Sequence, residues 1–369
     1  MGGLTHDGAL RWTRVGVLAA FALVLGYLET FIPIPIPGVK LGLANLAILL
    51  TFIRLDAGAA LFVTLIKVLA QGLLFGSPLT FAYSLTGSLA AFAVMALLVR
   101  LPSMHPAMTS VCGAVAHTAG QMLVASALLG TGFVWLAAPL LIVAAVVTGA
   151  VCGILAVRVD RMLTECEGEG KGDVQPISLD ALPSGEGRPV GRILAGFAVF
   201  AVVAILADEL IPLAVIFAIA VGACIAVRVP LKSLGRGLRA FLVLLLVSAV
   251  ACWLSYGREE ALPMIAAMAL RLGSVMAMSV AVMGLIGTDD LLAFTVRTAQ
   301  RLEARGVSTQ GPMLALNVCL QTLPVLATGL EVHDARLFGQ TLLRAIADAY
   351  ARAEGLAASL VGPEGEERA

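Results

Sequence analysis

The chain has 369 residues, 60% of them apolar and only 13% charged, with a mean hydropathy of +0.98 and a formal net charge of zero. Soluble domains hold about 45–50% apolar and about 25% charged residues, so the composition excludes a water-soluble globular fold and gives no basis for a nucleic-acid partner. Six cysteines lie singly (Cys112, Cys152, Cys166, Cys224, Cys252, Cys319), which excludes a disulfide framework or zinc spacing; they read as small hydrophobes, and no cofactor is implied.

Apolar segments of about 20 residues mark candidate spans. The first half offers Val15–Ile32, Leu41–Ile53, Ala57–Phe75, Leu79–Val99, Ala107–Leu129 and Phe133–Val157. The first has no small-residue cleavage site and ends in proline, so it reads as a retained helix and not a signal peptide. The second is short and must be tilted, extended or supported by its neighbours. Between them runs Leu28-Glu29-Thr30-Phe31-Ile32-Pro33-Ile34-Pro35-Ile36-Pro37-Gly38-Val39-Lys40-Leu41-Gly42-Leu43-Ala44-Asn45. Prolines at alternate positions cannot continue a helix and favour an extended chain, so this is a stiff loop between two membrane helices. Irregular backbone near a membrane is tolerated where protein buries it or where it lines a cavity, and a carboxylate, a cation and an amide flank this one.

A polar stretch from Arg158 to Gly191, rich in Glu, Gly, Ser and Pro, reads as a solvated linker. Apolar segments resume at Ile193–Ala207, Ile211–Val227, Ala240–Tyr256 and Leu262–Ile286, and from Thr288 charged and apolar positions alternate at helical spacing. The chain therefore divides into a membrane domain at 1–163, a linker at 164–190, and a second membrane domain at 191–369 whose cytoplasmic helices begin at about 288. Cations set the orientation. Arg11 and Arg14, Arg54, Arg100, Arg158 and Arg161, then Arg228 to Arg239, and Arg297 to Arg305 all fall on one side of an alternating topology. The acidic pairs Asp208/Glu209 and Glu259/Glu260 fall on the other. The expectation is a multi-pass protein of the inner (cytoplasmic) membrane with both termini and the linker in the cytoplasm.

Ionisable groups inside spans are costly and are paired or line a cavity. Lys67 and Gln71 share one face of the third span, and His117 and Gln121 share one face of the fifth. These groups either satisfy one another in bundle packing or project, with Lys40, Asn45 and Glu29, into one cavity for a polar ligand. Two lysines against one glutamate favour an anionic head group; Glu29 is equally suited as a counter-ion to Lys40. Small residues at four-residue spacing on the first helix, Gly16/Ala20 and Ala22/Gly26, let another helix approach closely, from the same half or from the second. Near the C-terminus, Thr288-Asp289-Asp290 opens a helix and Glu303-Ala304-Arg305-Gly306 closes it. Another run, Glu331 to Gly339, carries Asp334 and Arg336. Arginines at helix ends suit salt bridges with a soluble partner, although many such charges are only solvated. No phosphate loop, nucleophile elbow or carboxylate-rich magnesium site is present, so the chain is expected not to be an enzyme.

Residues from about Val15 to Val157 resemble the membrane family called heptaprenyl diphosphate synthase component I, or the Gx transporter family. The resemblance rests on Leu28-Glu29, the Ile-Pro-Ile-Pro-Gly-Val-Lys-Leu-Gly-Leu-Ala-Asn run, Leu74-Phe75-Gly76-Ser77-Pro78, Ser84-Leu85-Thr86-Gly87 and Gly113 to Gln121. That family is similar to the substrate-capturing S components of energy-coupling-factor (ECF) vitamin transporters, six-helix proteins that bind ligand near the outer face. From about Gly191 the chain resembles the T component of the same transporters: four spans, Thr288-x-x-x-Leu292, then cytoplasmic helices. T components carry two Ala-Arg-Gly motifs that couple to paired ATPases. Ala304-Arg305-Gly306 has the letters. By spacing, Ala335-Arg336 beside Asp334 is the better-placed first motif, with its glycine displaced. Near Gly355 to Leu360 the second motif lacks its arginine, and the family's last membrane helix is missing. The resemblance implies an all-α, polytopic fusion of a six-helix S-like bundle and a four-helix T-like domain. Its implied partners are a small-molecule substrate and cytoplasmic P-loop ATPases. The family's older name implies an alternative, a membrane subunit assisting prenyl diphosphate synthesis, and the altered motifs allow a facilitator without ATPases.

Overall fold

The computed structural model of the chain describes residues 5–29, 42–74, 78–129, 135, 138–166, 188–229, 231–286, 288–305, 308–328 and 344–350. Among these residues the regular structure is helical throughout, with no strand. Five helices are long and apolar enough to cross a membrane: His6–Glu29, Phe81–Leu98, Pro106–Leu128, Ala138–Glu165 and Glu259–Leu285. Membrane association follows from that content and from the surface, where large apolar side chains such as Val143, Val147, Ile154, Val199, Leu206, Ile211 and Ile225 stand exposed. An aqueous surface does not carry such a patch.

The first half comprises α1 (His6–Glu29), α2 (Leu43–Arg54), α3 (Ala57–Leu74), α4 (Pro78–Leu98), α5 (Pro106–Leu129) and α6 (Ala138–Cys166). Proline opens α4 and α5, where its missing N–H costs no helical bond and its fixed φ suits the first turn. α1 is the central helix, buried along its length against α2, α3 and a helix from the far end of the chain. α4, α5 and α6 pack in succession. At the α5–α6 crossing a methyl on Gly153 would lie 2.5 Å from the Ala107 Cα, and one on Gly149 2.8 Å from the Val111 Cα, so the absence of side chains there sets the approach of the backbones.

Ion pairs gather one end of this bundle. Arg11 at the start of α1 reaches Asp56 in the α2–α3 turn at 2.6 Å. Arg54 at the end of α2 pairs with Asp160 and donates to Thr164, both on α6. Tyr350, fully buried, lies under the guanidinium groups of Arg14 and Arg54, 5.1 and 5.9 Å from its ring centre. Residues 344–350, themselves helical, thus close the same rim.

The second half comprises α7 (Val190–Leu206), α8 (Leu210–Ala226), α9 (Leu231–Leu285), α10 (Thr288–Glu303) and α11 (Gln310–Thr328). α9 is two helices merged across Gly257, whose φ of 74° is open to glycine and strained for other residues. That break falls where the sequence separates two spans. The larger seams between the halves, among the described residues, are two. Leu128 of α5, with Val124 and Tyr83, packs against Met268 and Leu272 of α9. α11 lies along α1 in the same direction: Gly311 meets Trp12, and Gly16 meets Ala315 and Val318. α11 carries no charged residue, and its Ala315, Val318, Cys319 and Leu326 belong to one core with α1.

Candidate functional site

α2 has 12 residues and is about 18 Å long, against about 30 Å of hydrocarbon in a bilayer. Its far end is pinned at the rim by Arg54, so its start opens part-way through the bundle. Cys152, mid-way along α6, confirms the depth, with its Sγ 3.8 Å from the Gly42 carbonyl. The residue at that start is Gly42, with φ 76°. The Glu29 carboxylate accepts a hydrogen bond from the Gly42 N–H. A carboxylate at a helix N-terminus is held by the positive end of the helix dipole and by orphan N–H groups. Glu29 therefore ties the end of α1 to the start of α2.

One turn into α2, buried Asn45 faces α3. The Lys67 Nζ donates to the Asn45 Oδ1 at 3.2 Å and to the Ser88 Oγ of α4 at 3.4 Å; all three are buried. An ammonium against one end of the amide fixes which atom is oxygen, so the Asn45 NH2 points elsewhere. That Nδ2 has no hydrogen-bond partner among the described residues. A buried, unanswered amide donor costs about 1–3 kcal/mol. A substituent on Gly42 would stand 3.1 Å from it, so glycine there serves both the left-handed turn and the clearance.

His117 and Gln121 form a second buried pair on α5, with the Gln121 Nε2 3.1 Å from the His117 Nε2. The amide nitrogen only donates, so Nε2 accepts and a neutral imidazole carries its proton on Nδ1. Both side chains lie on Gly87 of α4, where an added methyl would meet the Gln121 Cγ and the His117 carbonyl at 2.9 Å. Gly87 and Ser88 are consecutive. The Lys67 and His117 pairs thus sit at one level of the bundle on neighbouring faces of α4, and Ser84 is buried one turn away from Ser88.

Of the residues singled out from sequence, the structure joins Asn45 with Lys67 and His117 with Gln121, and it engages Glu29 at the helix start. Gln71 lies in α3 one turn beyond Lys67, but its side chain falls outside the described residues, as do Lys40 with the proline run, residues 167–187 of the expected linker, Asp334 and Arg336. The polar stretch expected as linker from Arg158 is shortened at both ends, because α6 continues helical to Cys166 and α7 begins at Val190. Gly16, of the four small residues on α1, meets α11; Ala20, Ala22 and Gly26 are buried in the α1 core. Arg305 is exposed just past α10. Ser84 and Ser88 were legible as polar groups at four-residue spacing. Arg271 was missed although it is a cation within an apolar span. It is only 4% exposed and donates to the Ala204 and Ala207 carbonyls at the end of α7 and to Asp208 at 3.2 Å. Among the described residues no cluster of His, Cys, Asp and Glu could hold a metal ion.

No curated protein and no solved structure matches the chain. The stretch that carries Glu29, the Asn45–Lys67 pair and the His117–Gln121 pair, residues 18–159, matches the family described as heptaprenyl diphosphate synthase component I.

Proposed function

We propose that the chain is the membrane component of an energy-coupling-factor type importer, in which the first half captures a small acceptor-rich or anionic molecule and the second half links it to separate cytoplasmic ATPases. The observation that carries this reading is the Asn45 amide, buried with an unanswered donor beside the Lys67 ammonium near the start of a half-length helix. Interrupted helices whose N-termini open within the bilayer are a recurring way to present donors to anionic substrates. In this reading α1 to α6 form the S-like bundle and α7 to α9 the four T-like spans, with both termini in the cytoplasm of a bacterial-type inner membrane. Lys40 and Gln71 complete the ligand site. Arg305, Asp334 and Arg336 lie where ATPase subunits dock. α11, seated along α1, transmits movement between the halves. The chain itself performs no covalent chemistry.

The test is a Lys67→Met variant. Small molecules released from the purified, folded protein are identified by mass spectrometry, and the melting temperature is measured on the same sample. Losing one cation from a desolvated anion contact costs about 2–3 kcal/mol, or roughly 30- to 150-fold in affinity. Loss of the bound molecule at an unchanged melting temperature supports capture. A lower melting temperature with unchanged binding per folded molecule makes Lys67 a packing residue and removes the proposed site.

The family description favours a second reading, a non-catalytic membrane subunit associated with heptaprenyl diphosphate synthesis. Co-purification decides between them: P-loop ATPases retained by the chain from its own host support import, and a soluble prenyl synthase supports the alternative.

A further inference from the structure

A cavity of about 370 Å³ lies between the start of α7 and one face of α10. Four arginines line it: Arg188 and Arg192 flank the α7 start, and Arg297 and Arg301 lie one turn apart on α10. Among the described residues its lining contains no carboxylate. Asp290 is buried and stands 3.9 Å from the Arg188 Nε. Arg188 also donates to the Leu285 carbonyl, so the cavity wall is braced against the end of α9. Arg297 is held by a 3.1 Å bond from its Nε to the Ala293 carbonyl. Arg188 is answered by Asp290, and Arg192, Arg297 and Arg301 bring three further like charges to the same space, which an anion would offset. A guanidinium fork matches two phosphate oxygens at once.

We infer that this cavity binds a phosphate group, supplied by the headgroup of an anionic phospholipid. Two further observations point to lipid over a free phosphate compound. Directly beyond the cavity α7 exposes Val199, Val202, Val203 and Leu206, an apolar flank along which acyl chains lie. Phe294 forms the apolar part of the lining beside the arginines. Basic pockets between apolar helices at the membrane surface are suited to such headgroups.

The experiment uses the full chain, purified and delipidated, in micelles containing dioleoylphosphatidylglycerol, dioleoylphosphatidylcholine, or glycerol phosphate in the surrounding buffer. Retained lipid is counted by native mass spectrometry and the thermal midpoint is followed. The expected result is retention of phosphatidylglycerol with a raised midpoint, and neither effect from phosphatidylcholine. Arg297→Gln/Arg301→Gln weakens retention about 30-fold, from about fivefold for each cation near a headgroup. Arg100→Gln, which removes an exposed cation elsewhere, leaves it unchanged. Equal protection by glycerol phosphate assigns the cavity to soluble phosphates and overturns the lipid assignment. Equal loss in the Arg100→Gln control, or retention unchanged in the double variant, overturns the site altogether. Arg297→Lys/Arg301→Lys, which keeps the charge, guards against a folding defect and is expected to restore retention in part.

Discussion

The seam between α1 and α11 makes a quantitative prediction about two glycines. Gly16 faces α11 so closely that an alanine methyl would stand 2.5 Å from the Ala315 carbonyl oxygen and 2.7 Å from the Val318 Cβ. Both contacts are about 1 Å inside van der Waals distance, and one partner is backbone, which cannot rotate away. α11 must move back by that amount. A gap of 0.5–1 Å already forfeits about a quarter to a half of each contact on the interface, and overpacking of this kind costs about 1–3 kcal/mol. Gly196, in the interior of α7, has nothing within 4 Å of the same methyl. There alanine only relieves the conformational freedom of glycine, a gain of about 0.5–1 kcal/mol. Gly16→Ala and Gly196→Ala are thus the same chemical change with opposite expected signs. In detergent, at one fixed scan rate, the first should lower the apparent melting temperature by a few degrees and the second should leave it unchanged or raise it slightly. Equal shifts in the two variants, or a Gly16→Ala protein as stable as the parent, would refute the α1–α11 packing.

Other perturbations test other parts of the fold. Partial burial raises the Asp56 pKa, but the Ala59 N–H and the Arg11 guanidinium outweigh it, so the carboxyl lies below its ordinary 3.8. The folded form therefore favours the ionised state. Asp56→Asn, which keeps the helix cap, should cost a constant amount under about 1 kcal/mol at neutral pH because both partners are about half exposed. The gap to the parent should close as pH falls below about 4, so a gap that widens in acid contradicts the pairing; chemical denaturation across pH reads it. Arg271→Met leaves the Ala204 and Ala207 carbonyls unanswered and should destabilise by about 1–3 kcal/mol, while Asp208→Asn, whose side chain is 92% exposed, should be nearly silent in the same melting assay. Cysteine placed at Ser184 should resist an impermeant thiol reagent in intact cells, and strong labelling there would reverse the proposed topology. Arg336→Glu should reduce retention of host ATPases on the purified chain; unchanged retention removes that residue from the docking surface.

Much of the helical organisation was legible because apolar runs and their punctuation are local signals. Pro78, Pro106 and Gly257 sit at element starts or breaks for reasons that act within a few residues. Pairs within one helix, such as His117 with Gln121, were readable from spacing. Lys67 with Asn45 was readable only as two polar groups in neighbouring segments, since nothing in a sequence fixes how far α2 slides against α3. Arg271 escaped because its partners are backbone carbonyls of α7, which any residues would supply. Gly87 escaped for a related reason: its importance is the absence of a side chain opposite His117 and Gln121.

The burial of α1 by α11 has a consequence for the order in which the protein is made. α1 leaves the ribosome about 300 residues ahead of α11, and the surface around Gly16 stays uncovered until residues 310–328 follow. At about 5–20 residues per second that wait is roughly 15–60 s, long compared with helix formation. Through that interval a flat, small-residue face is available to any passing membrane helix. The six-helix bundle therefore matures only after residues 310–328 are made, and a nonsense mutation ahead of residue 310 should damage the first half as well as the second.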